Sequence, residues 1–160
     1  MSTGPSAPLA AALRQTRPFS SPESAAYLAL LRVASRFEQE MSDLLRPYGI
    51  TPTQYNGLRI LRGGGATGLT CGGVLDRLVT RDPDITRLLD RLEKLGLVTR
   101  TRDSEDRRVV ISRITPAGLE LLEKLDAPVN ELHRSQLAAL GPDGLQQLTQ
   151  LLGEIIESQG

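Results

Sequence analysis

The chain has 160 residues, a single cysteine, no tryptophan and no net charge at neutral pH. This length is enough for one domain with its own core, and one cysteine excludes an internal disulfide framework and indicates a reducing, cytoplasmic environment. No apolar run approaches the length of a membrane span and no signal-peptide core follows Arg14 and Arg17, so we expect neither membrane insertion nor secretion.

The charges are unevenly distributed along the chain. Residues 51–113 contain 12 Lys and Arg against 8 Asp and Glu, whereas residues 114–160 contain 2 against 7. A basic middle part followed by an acidic C-terminal part is typical of a nucleic-acid-facing region attached to solvated helices. An excess of four charges also arises by chance, so this distribution supports nucleic-acid binding only weakly.

The N-terminal part is predicted to be an arm followed by one long helix. Residues 1–22 are rich in Ser, Pro and Ala without a sustained period, which indicates a flexible N-terminal arm. A helix is predicted over residues 24–45. Its apolar residues recur in a heptad-like pattern that fits either the core of the chain or a dimer interface: Tyr27, Leu30, Ala34, Phe37, Met41 and Leu44.

Two further helices are marked by threonine caps. Thr51 is the predicted N-cap of the next helix, Pro52 takes its first position, and Gln54 completes a capping box. Three glycines at residues 63–65 end this helix. Thr70 is predicted to cap a short third helix that extends to about residue 79, although its first turn is weakened by two glycines.

The fourth predicted helix covers residues 82–95 and is strongly amphipathic. Asp82 is the predicted N-cap, Pro83 the first helical residue, and Gly96 the residue that ends the helix. Apolar residues at the 3–4 spacing form a stripe that faces the core. The opposite face carries the residues that we identify as candidate DNA readers: Thr86, Arg87, Asp90, Arg91 and Lys94.

A predicted β-hairpin follows this helix directly. Residues 97–102 and 107–114 are β-rich and flank a polar turn at residues 103–106. Arg107 and Arg108 come just after the turn, where Asp103 or Asp106 can hold one of them. A helix of this size fits a DNA major groove, and a hairpin beside it reaches the backbone or minor groove, so the layout is that of a winged helix-turn-helix.

The remaining residues are predicted to form two helices. Thr115-Pro116 opens the first, in which Pro128 should cause a kink or a split, and Gly141-Pro142 separates the last. The last helix has a wide apolar face over residues 145–156. That face must pack either against its own chain or against a second subunit.

Several of these motifs resemble those of the MarR (multiple antibiotic resistance regulator) family. They are Leu-Asp-Arg-Leu-Glu-Lys-Leu-Gly-Leu-Val at 89–98, Asp-Ser-Glu-Asp-Arg-Arg at 103–108, Ile-Thr-Pro-Ala-Gly at 114–118 and Thr-Pro-Thr-Gln-Tyr at 51–55. The resemblance covers residues 24–157. It implies a mainly α fold with a small β-hairpin wing, in which a winged helix-turn-helix (residues 51–114) lies between helical dimerisation regions (residues 23–50 and 115–160). In this family a short strand that pairs with the wing often lies near residues 63–65.

The resemblance also implies a function. Most such proteins are homodimeric repressors that bind a pseudo-palindromic site on double-stranded DNA and are released by a small aromatic or phenolic ligand. Arg107 and Arg108 would contact DNA from the wing, and Arg77 and Arg81 are further candidates for backbone contacts. The family commonly has Ser or Thr where Asp82 and Asp84 stand, and these acids argue against phosphate contact by the first turn.

Alternative interpretations rest on single residues. Each charged face can be an ordinary solvated surface with ion pairs of little energetic value. Cys71, at a helix start, fits either a redox sensor or, more commonly, a small packing residue. His133 is the only histidine, so we expect no metal site, and no cofactor or enzymatic activity is indicated. A further alternative is a winged helix that contacts another protein. In that case the acidic first turn of the recognition helix would have lost the ability to bind DNA.

Overall fold

The structure is a computed structural model that describes residues 6–79, 84–103 and 106–158. These residues form helices connected by short turns and one small sheet, which confirms the mainly α fold with a β-hairpin wing. The elements in chain order are α1 (Ala7–Ala12), α2 (Pro22–Leu45), α3 (Pro52–Gly63), β1 (Leu69–Thr70), α4 (Cys71–Leu75), α5 (Ile85–Lys94), β2 (Val98–Arg102), β3 (Val110–Ile114), α6 (Pro116–Leu137) and α7 (Gly141–Ser158).

The chain divides into two compact units, residues 1–40 and residues 41–160. The first unit contains α1 and most of α2. The six-residue helix α1 lies in the segment for which the sequence predicted no element. A proline stands within its first turn, where the absence of an N–H has little cost. None of the helices in the described residues is long and apolar enough to cross a membrane.

Helix α3 begins as its sequence predicts. The Thr51 hydroxyl accepts a hydrogen bond from the Gln54 amide at 3.2 Å, and the Gln54 side-chain oxygen accepts one from the Thr51 amide at 2.9 Å. These bonds satisfy two backbone donors that would otherwise lack partners at the helix start. The capping box is therefore confirmed, and α3 forms one wall of the core with Leu58 and Leu61 fully buried.

Helix α4 is shorter than predicted. Thr70 caps it as expected, because its hydroxyl accepts a hydrogen bond from the Gly73 amide at 3.0 Å. The helix ends at Leu75 instead of continuing to residue 79, and the next two turns close through tighter bonds from Arg77 to Val74 and from Leu78 to Leu75. Two glycines in a five-residue helix leave little propensity for further extension.

Helix α5 begins later and ends where predicted. Its N-cap is Asp84, whose carboxylate accepts a hydrogen bond from the Arg87 amide at 3.2 Å. The start predicted at Asp82 and Pro83 is therefore wrong for the helix boundary, and these two residues lie outside the described part of the chain. At the other end Gly96 has a φ of +72°, which a residue with a side chain rarely adopts, and its amide bonds to the Glu93 carbonyl.

The sheet has the antiparallel order β1-β3-β2. The short strand that the resemblance implied is present as β1, where Leu69 pairs with Ser112. Strand β3 begins at Val110, three residues later than predicted, because the Val109 amide bonds to the Asp106 carbonyl and closes a turn. The Arg107–Arg108 pair therefore lies in the turn of the wing and not in the ladder.

The core of the second unit is built almost entirely from leucine and valine. Fully burying one such side chain contributes about 1.5–3 kcal/mol. The core brings together α3, α5, the sheet and α6 around these completely enclosed residues: Leu45, Leu58, Leu61, Val74, Leu89, Leu92, Leu122 and Leu125.

Helix α6 runs through Pro128 without a break, so the predicted split at that residue is wrong. Its start packs tightly on the sheet, because a Cβ at Gly118 would lie 2.5 Å from the Leu97 carbonyl oxygen. A short 3₁₀ turn, Ala138–Leu140, then separates α6 from α7. No residue of α7 is buried among the described residues, although its sequence has a wide apolar face.

Candidate DNA-binding surface

Helix α5 separates its apolar and polar residues as the sequence predicted. Leu88, Leu89 and Leu92 are buried, and the other face is open to solvent. Four of the five candidate readers on this helix are exposed: Thr86, Arg87, Arg91 and Lys94. The structure therefore brings these candidates together on one accessible face that carries three positive charges.

The cations on this face are free to take new partners. The Arg87 guanidinium lies 3.4 Å from the Asp84 carboxylate, and both side chains are more than half exposed. Such a solvated pair contributes at most about 1 kcal/mol and exchanges readily for a stronger anionic partner. Within the described residues, Arg91 and Lys94 have no hydrogen-bond or ion-pair partner.

A cleft of about 270 Å³ lies between α5 and the start of α3. It is lined by Thr51, Thr53 and Gln54 on one side and by Arg87 and Arg91, together with Asp84 and Leu88, on the other. The sequence analysis did not single out Thr53 as a site residue. The only signal was its position in the first turn of a helix, where backbone amides favour anions. The Asp84 carboxylate in the same cleft opposes that preference.

Asp90, the fifth candidate on the helix, is placed differently from the others. Its carboxylate forms an ion pair with the guanidinium of Arg100 on β2. Arg100 was missed by the sequence analysis. The available signal was strand alternation, because a residue two positions after the buried Val98 points to the same, inward face.

The wing presents both of its arginines to solvent. Arg107 and Arg108 are exposed in the turn between β2 and β3. The Arg108 amide donates a hydrogen bond to the Asp106 carboxylate at 2.9 Å, and the Asp106 amide donates one to the Asp103 carboxylate at 3.2 Å. Asp103 and Asp106 thus accept hydrogen bonds from backbone amides in the described part of the turn, and the two arginines follow directly after Asp106.

Arg113 connects the base of the wing to neighbouring segments, and the sequence analysis did not identify it. Its Nε donates a hydrogen bond to the Ala66 carbonyl and its Nη1 to the Thr101 hydroxyl, both at 2.9 Å. These bonds tie β3 to β2 and to the turn before β1. Of the two candidates for backbone contacts, Arg77 donates a hydrogen bond to the Gly73 carbonyl of the preceding helix α4, and Arg81 lies outside the described residues.

An ion pair joins α3 to α6. The Arg62 guanidinium contacts the Asp126 carboxylate through two hydrogen bonds of 2.8 and 3.1 Å. The bonds to Arg62 hold the pKa of Asp126 below its ordinary value, and those to Asp126 raise the pKa of Arg62. Burial raises the pKa of the neighbouring Tyr55 hydroxyl. Arg62 and Asp126 thus join α3 to α6 by a two-point contact.

The remaining candidates do not form a second site. Cys71 is half-buried and packs against the core, which favours the packing interpretation over redox sensing. His133 is exposed on α6. In the described ranges, no group of three His, Cys, Asp or Glu side chains is placed to hold a metal ion. A second cleft, of about 590 Å³, is lined by residues between 6 and 29 and contains none of the candidate readers.

A helix with an exposed cationic face, beside a hairpin that carries two exposed arginines, defines a winged helix-turn-helix of the DNA-binding type. Comparisons with known proteins support this assignment. Residues 48–109 match the model of the MarR family. The crystal structure of a MarR transcription factor from Planctomyces limnophilus is 40% identical, with a TM-score of 0.66, and the match covers 85% of this chain and 98% of that one.

Two other similar proteins extend the comparison. The Staphylococcus aureus MepR–DNA complex has a TM-score of 0.75 at 25% identity, covering 82% of this chain and 97% of that chain. The HTH-type transcriptional repressor IacR from Pseudomonas putida is 28% identical over 123 residues, which are 77% of this chain and 72% of IacR. The chain belongs to the MarR family of transcription regulators, and the fold class and family expected from the sequence are confirmed.

Proposed function

We propose that the protein is a homodimeric repressor that binds a pseudo-palindromic DNA site through α5 and the wing of each subunit. The observation that carries this proposal is the exposed face of α5, where Arg87, Arg91 and Lys94 lie together on a helix whose opposite side is locked into the core. A fixed helix with a free cationic face can enter a major groove without rearrangement.

The two parts of this surface have different proposed tasks. Thr86 and Arg87, in the first turn of α5, are the proposed contacts to base edges, because the N-terminal residues of a recognition helix commonly contact bases. Arg91 lies about one turn later and Lys94 about two turns later, and both are suited to base or phosphate contact. Arg107 and Arg108 extend from the wing turn and are suited to the backbone or to a narrow minor groove.

Dimerisation is supported by apolar residues that remain exposed in the single chain. On α7, Leu151 and Ile155 keep 50% and 45% of their surface, and on α2 Tyr27 keeps 62%. A two-fold dimer would place two copies of α5 in successive major grooves about 10 base pairs apart, which requires a site with two related half-sites. Because the target is DNA, we expect the protein to act in the cytoplasm.

The sign of regulation and the ligand are proposed from similarity. IacR is named as a repressor, and repression by occupying a promoter is what the family resemblance implies. We propose that a small aromatic or phenolic molecule releases the protein from DNA. The test is a panel of aromatic acids and phenols added to the protein–DNA complex, with DNA release followed by fluorescence anisotropy and binding followed by thermal shift.

The central experiment is selection of bound fragments from a genomic library, followed by sequencing. We expect one enriched pseudo-palindrome. Arg87→Ala should cost about 1–3 kcal/mol of binding free energy and relax the preference at one position in each half-site. Arg134→Ala, which removes an exposed arginine of α6, is the matched control and should change neither. No enrichment, together with a stable complex with another protein, would favour the protein-contact alternative.

A further inference from the structure

We infer that Arg100 is a positioning residue for DNA reading, which holds the wing at a fixed place relative to the recognition helix through Asp90 and Glu93. We call these three residues the helix–wing brace. The inference rests on the proposed function. It assigns a role in DNA reading to residues that do not themselves contact DNA. It also removes Asp90 from the candidate DNA readers.

The brace joins two elements at two points. The Arg100 amide donates a hydrogen bond to the Glu93 carboxylate at 3.1 Å, and the Arg100 guanidinium forms an ion pair with Asp90. Asp90 and Glu93 are three residues apart and therefore lie on the same side of α5. Arg100 is thus bound to the recognition helix twice, through its backbone amide to Glu93 and through its side chain to Asp90.

Burial distinguishes this ion pair from those on the surface. The Arg100 side chain keeps only 18% of its surface, and Asp90 keeps 46%. In the Arg134–Glu131 pair on α6, by comparison, the two side chains keep 74% and 67%. A solvated pair adds little to stability or geometry, whereas a guanidinium withdrawn from water strongly favours the arrangement that keeps its carboxylate partner.

The surroundings of Arg100 offer few alternative partners. Arg100 pairs directly with Ser112 across the β2–β3 ladder, so the two side chains point to the same face of the sheet. Ser112 is completely buried, and within the described residues neither its hydroxyl nor the Arg100 Nε has a hydrogen-bond partner. The Ser112 hydroxyl can accept a hydrogen bond, but it is neutral and cannot replace the charge of the Asp90 carboxylate as the partner of the guanidinium. The ion pair with Asp90 therefore favours the observed position of the hairpin against α5.

The consequence concerns the distance between two DNA contacts. Arg87 is carried by α5 itself, whereas Arg107 is carried by the tip of the hairpin. The brace acts together with the short turn around Gly96 and the core that α5 shares with the start of β2, and it is the polar contact that fixes one relative to the other. When two contacts are held on one rigid body, the second forms at little additional entropic cost once the first has formed. Loosening the brace should therefore weaken the wing contact and leave the helix contact intact.

The test is a double-mutant cycle on the selected DNA site. In the otherwise wild-type protein, Arg107→Ala should weaken binding by about tenfold. In the Asp90→Asn protein, whose side chain keeps its size but loses its charge, the same Arg107→Ala change should weaken binding by less than about threefold. Arg87→Ala should have the same effect in both backgrounds. Glu131→Gln, which disrupts the exposed pair on α6, is the matched control and should leave the Arg107 effect at about tenfold.

A measurement without DNA separates failure of the brace from failure of the proposed function. Amide hydrogen exchange of the Asp90→Asn protein should be faster at Arg100 and along β2 and β3, with α5 unchanged. A full Arg107 effect in the Asp90→Asn background, with hairpin exchange as in wild type, would overturn the inference. The inference would also be overturned if the Asp90→Asn protein showed an altered preference at one base pair and an unchanged Arg107 effect, because Asp90 would then contact a base. If the wild-type protein selects no DNA site, the proposed function fails, and the exchange measurement still decides whether the brace exists.

Discussion

Helices α3 and α7 show two different ways in which an amphipathic sequence is used. The 12-residue helix α3 buries five of its residues inside the chain, and its start is fully capped. The 18-residue helix α7 buries none of its described residues, and its apolar side chains Leu151, Ile155 and Ile156 keep between 45% and 72% of their surface exposed. The winged helix-turn-helix is therefore complete within one chain, whereas the C-terminal helix has an apolar face that a single chain leaves uncovered.

The largest effect is expected from changes on α7. Leu151→Glu combined with Ile155→Glu places two charges on its exposed apolar face, so it should leave the winged helix folded but prevent dimer formation. We expect monomers in light scattering and loss of specific DNA binding, because each subunit contributes one half-site. Gln147→Glu on the same helix is the control. A variant that remains a dimer with unchanged affinity would show that α7 is not an interface element.

A smaller effect is expected where the winged helix is most tightly packed. Gly118→Ala would place a Cβ 2.5 Å from the Leu97 carbonyl oxygen and 2.7 Å from Ile114, so α6 must shift away from the sheet. Such overpacking costs about 1–3 kcal/mol of unfolding free energy, which outweighs the helix propensity gained. In Gly63→Ala, at the end of α3, the added Cβ would have no atom within 4 Å, so this change should be neutral or stabilising by up to about 1 kcal/mol. Denaturant unfolding of both variants checks this contrast, and equal stabilities would contradict it.

The smallest effect concerns the Arg62–Asp126 ion pair between α3 and α6. Both side chains are more than a third exposed, so Asp126→Asn should lower stability near neutral pH by less than about 1 kcal/mol. The folded-state pKa of Asp126 is lowered, so its contribution is present above the ordinary carboxyl pKa and is lost as the pH falls through the lowered value. The difference between wild type and variant should therefore disappear in strongly acidic solution. A difference that is the same at neutral and acidic pH would show that the contact acts through packing.

The features that the sequence predicted correctly depend on neighbouring residues. The capping box at Thr51 and Gln54 needs only a spacing of three residues, and the end of α5 needs only a glycine that accepts a positive φ. The buried and exposed faces of α5 follow from helical periodicity. Local chemistry of this kind was sufficient to predict the winged helix and the exposed positions of Thr86, Arg87, Arg91 and Lys94.

The features that the sequence missed depend on the packing of distant segments. The sequence predicted Asp82 as the cap of the recognition helix, whereas the cap is Asp84. An aspartate satisfies the local capping rule at either position, so that rule alone does not choose Asp84. Asp90 has the helical position of a DNA reader, and only the arrival of Arg100 from β2 shows that its carboxylate has a partner within the chain. The end of α4 at Leu75 is a different, local case, because the effect of its two glycines on helix length was underestimated.

The most direct test of this account is a comparison of wild-type affinity for the selected site and for random duplex over a range of salt concentrations. We predict a clear preference for the selected site that persists as salt rises, since base contacts supply it, together with a linear fall of log affinity with log salt. Arg107→Ala should reduce the salt slope by about one for each phosphate contact removed, and a two-fold dimer makes each contact twice. Equal affinity for selected and random DNA at low salt would contradict the assignment of the α5 face and the wing as a sequence-reading surface.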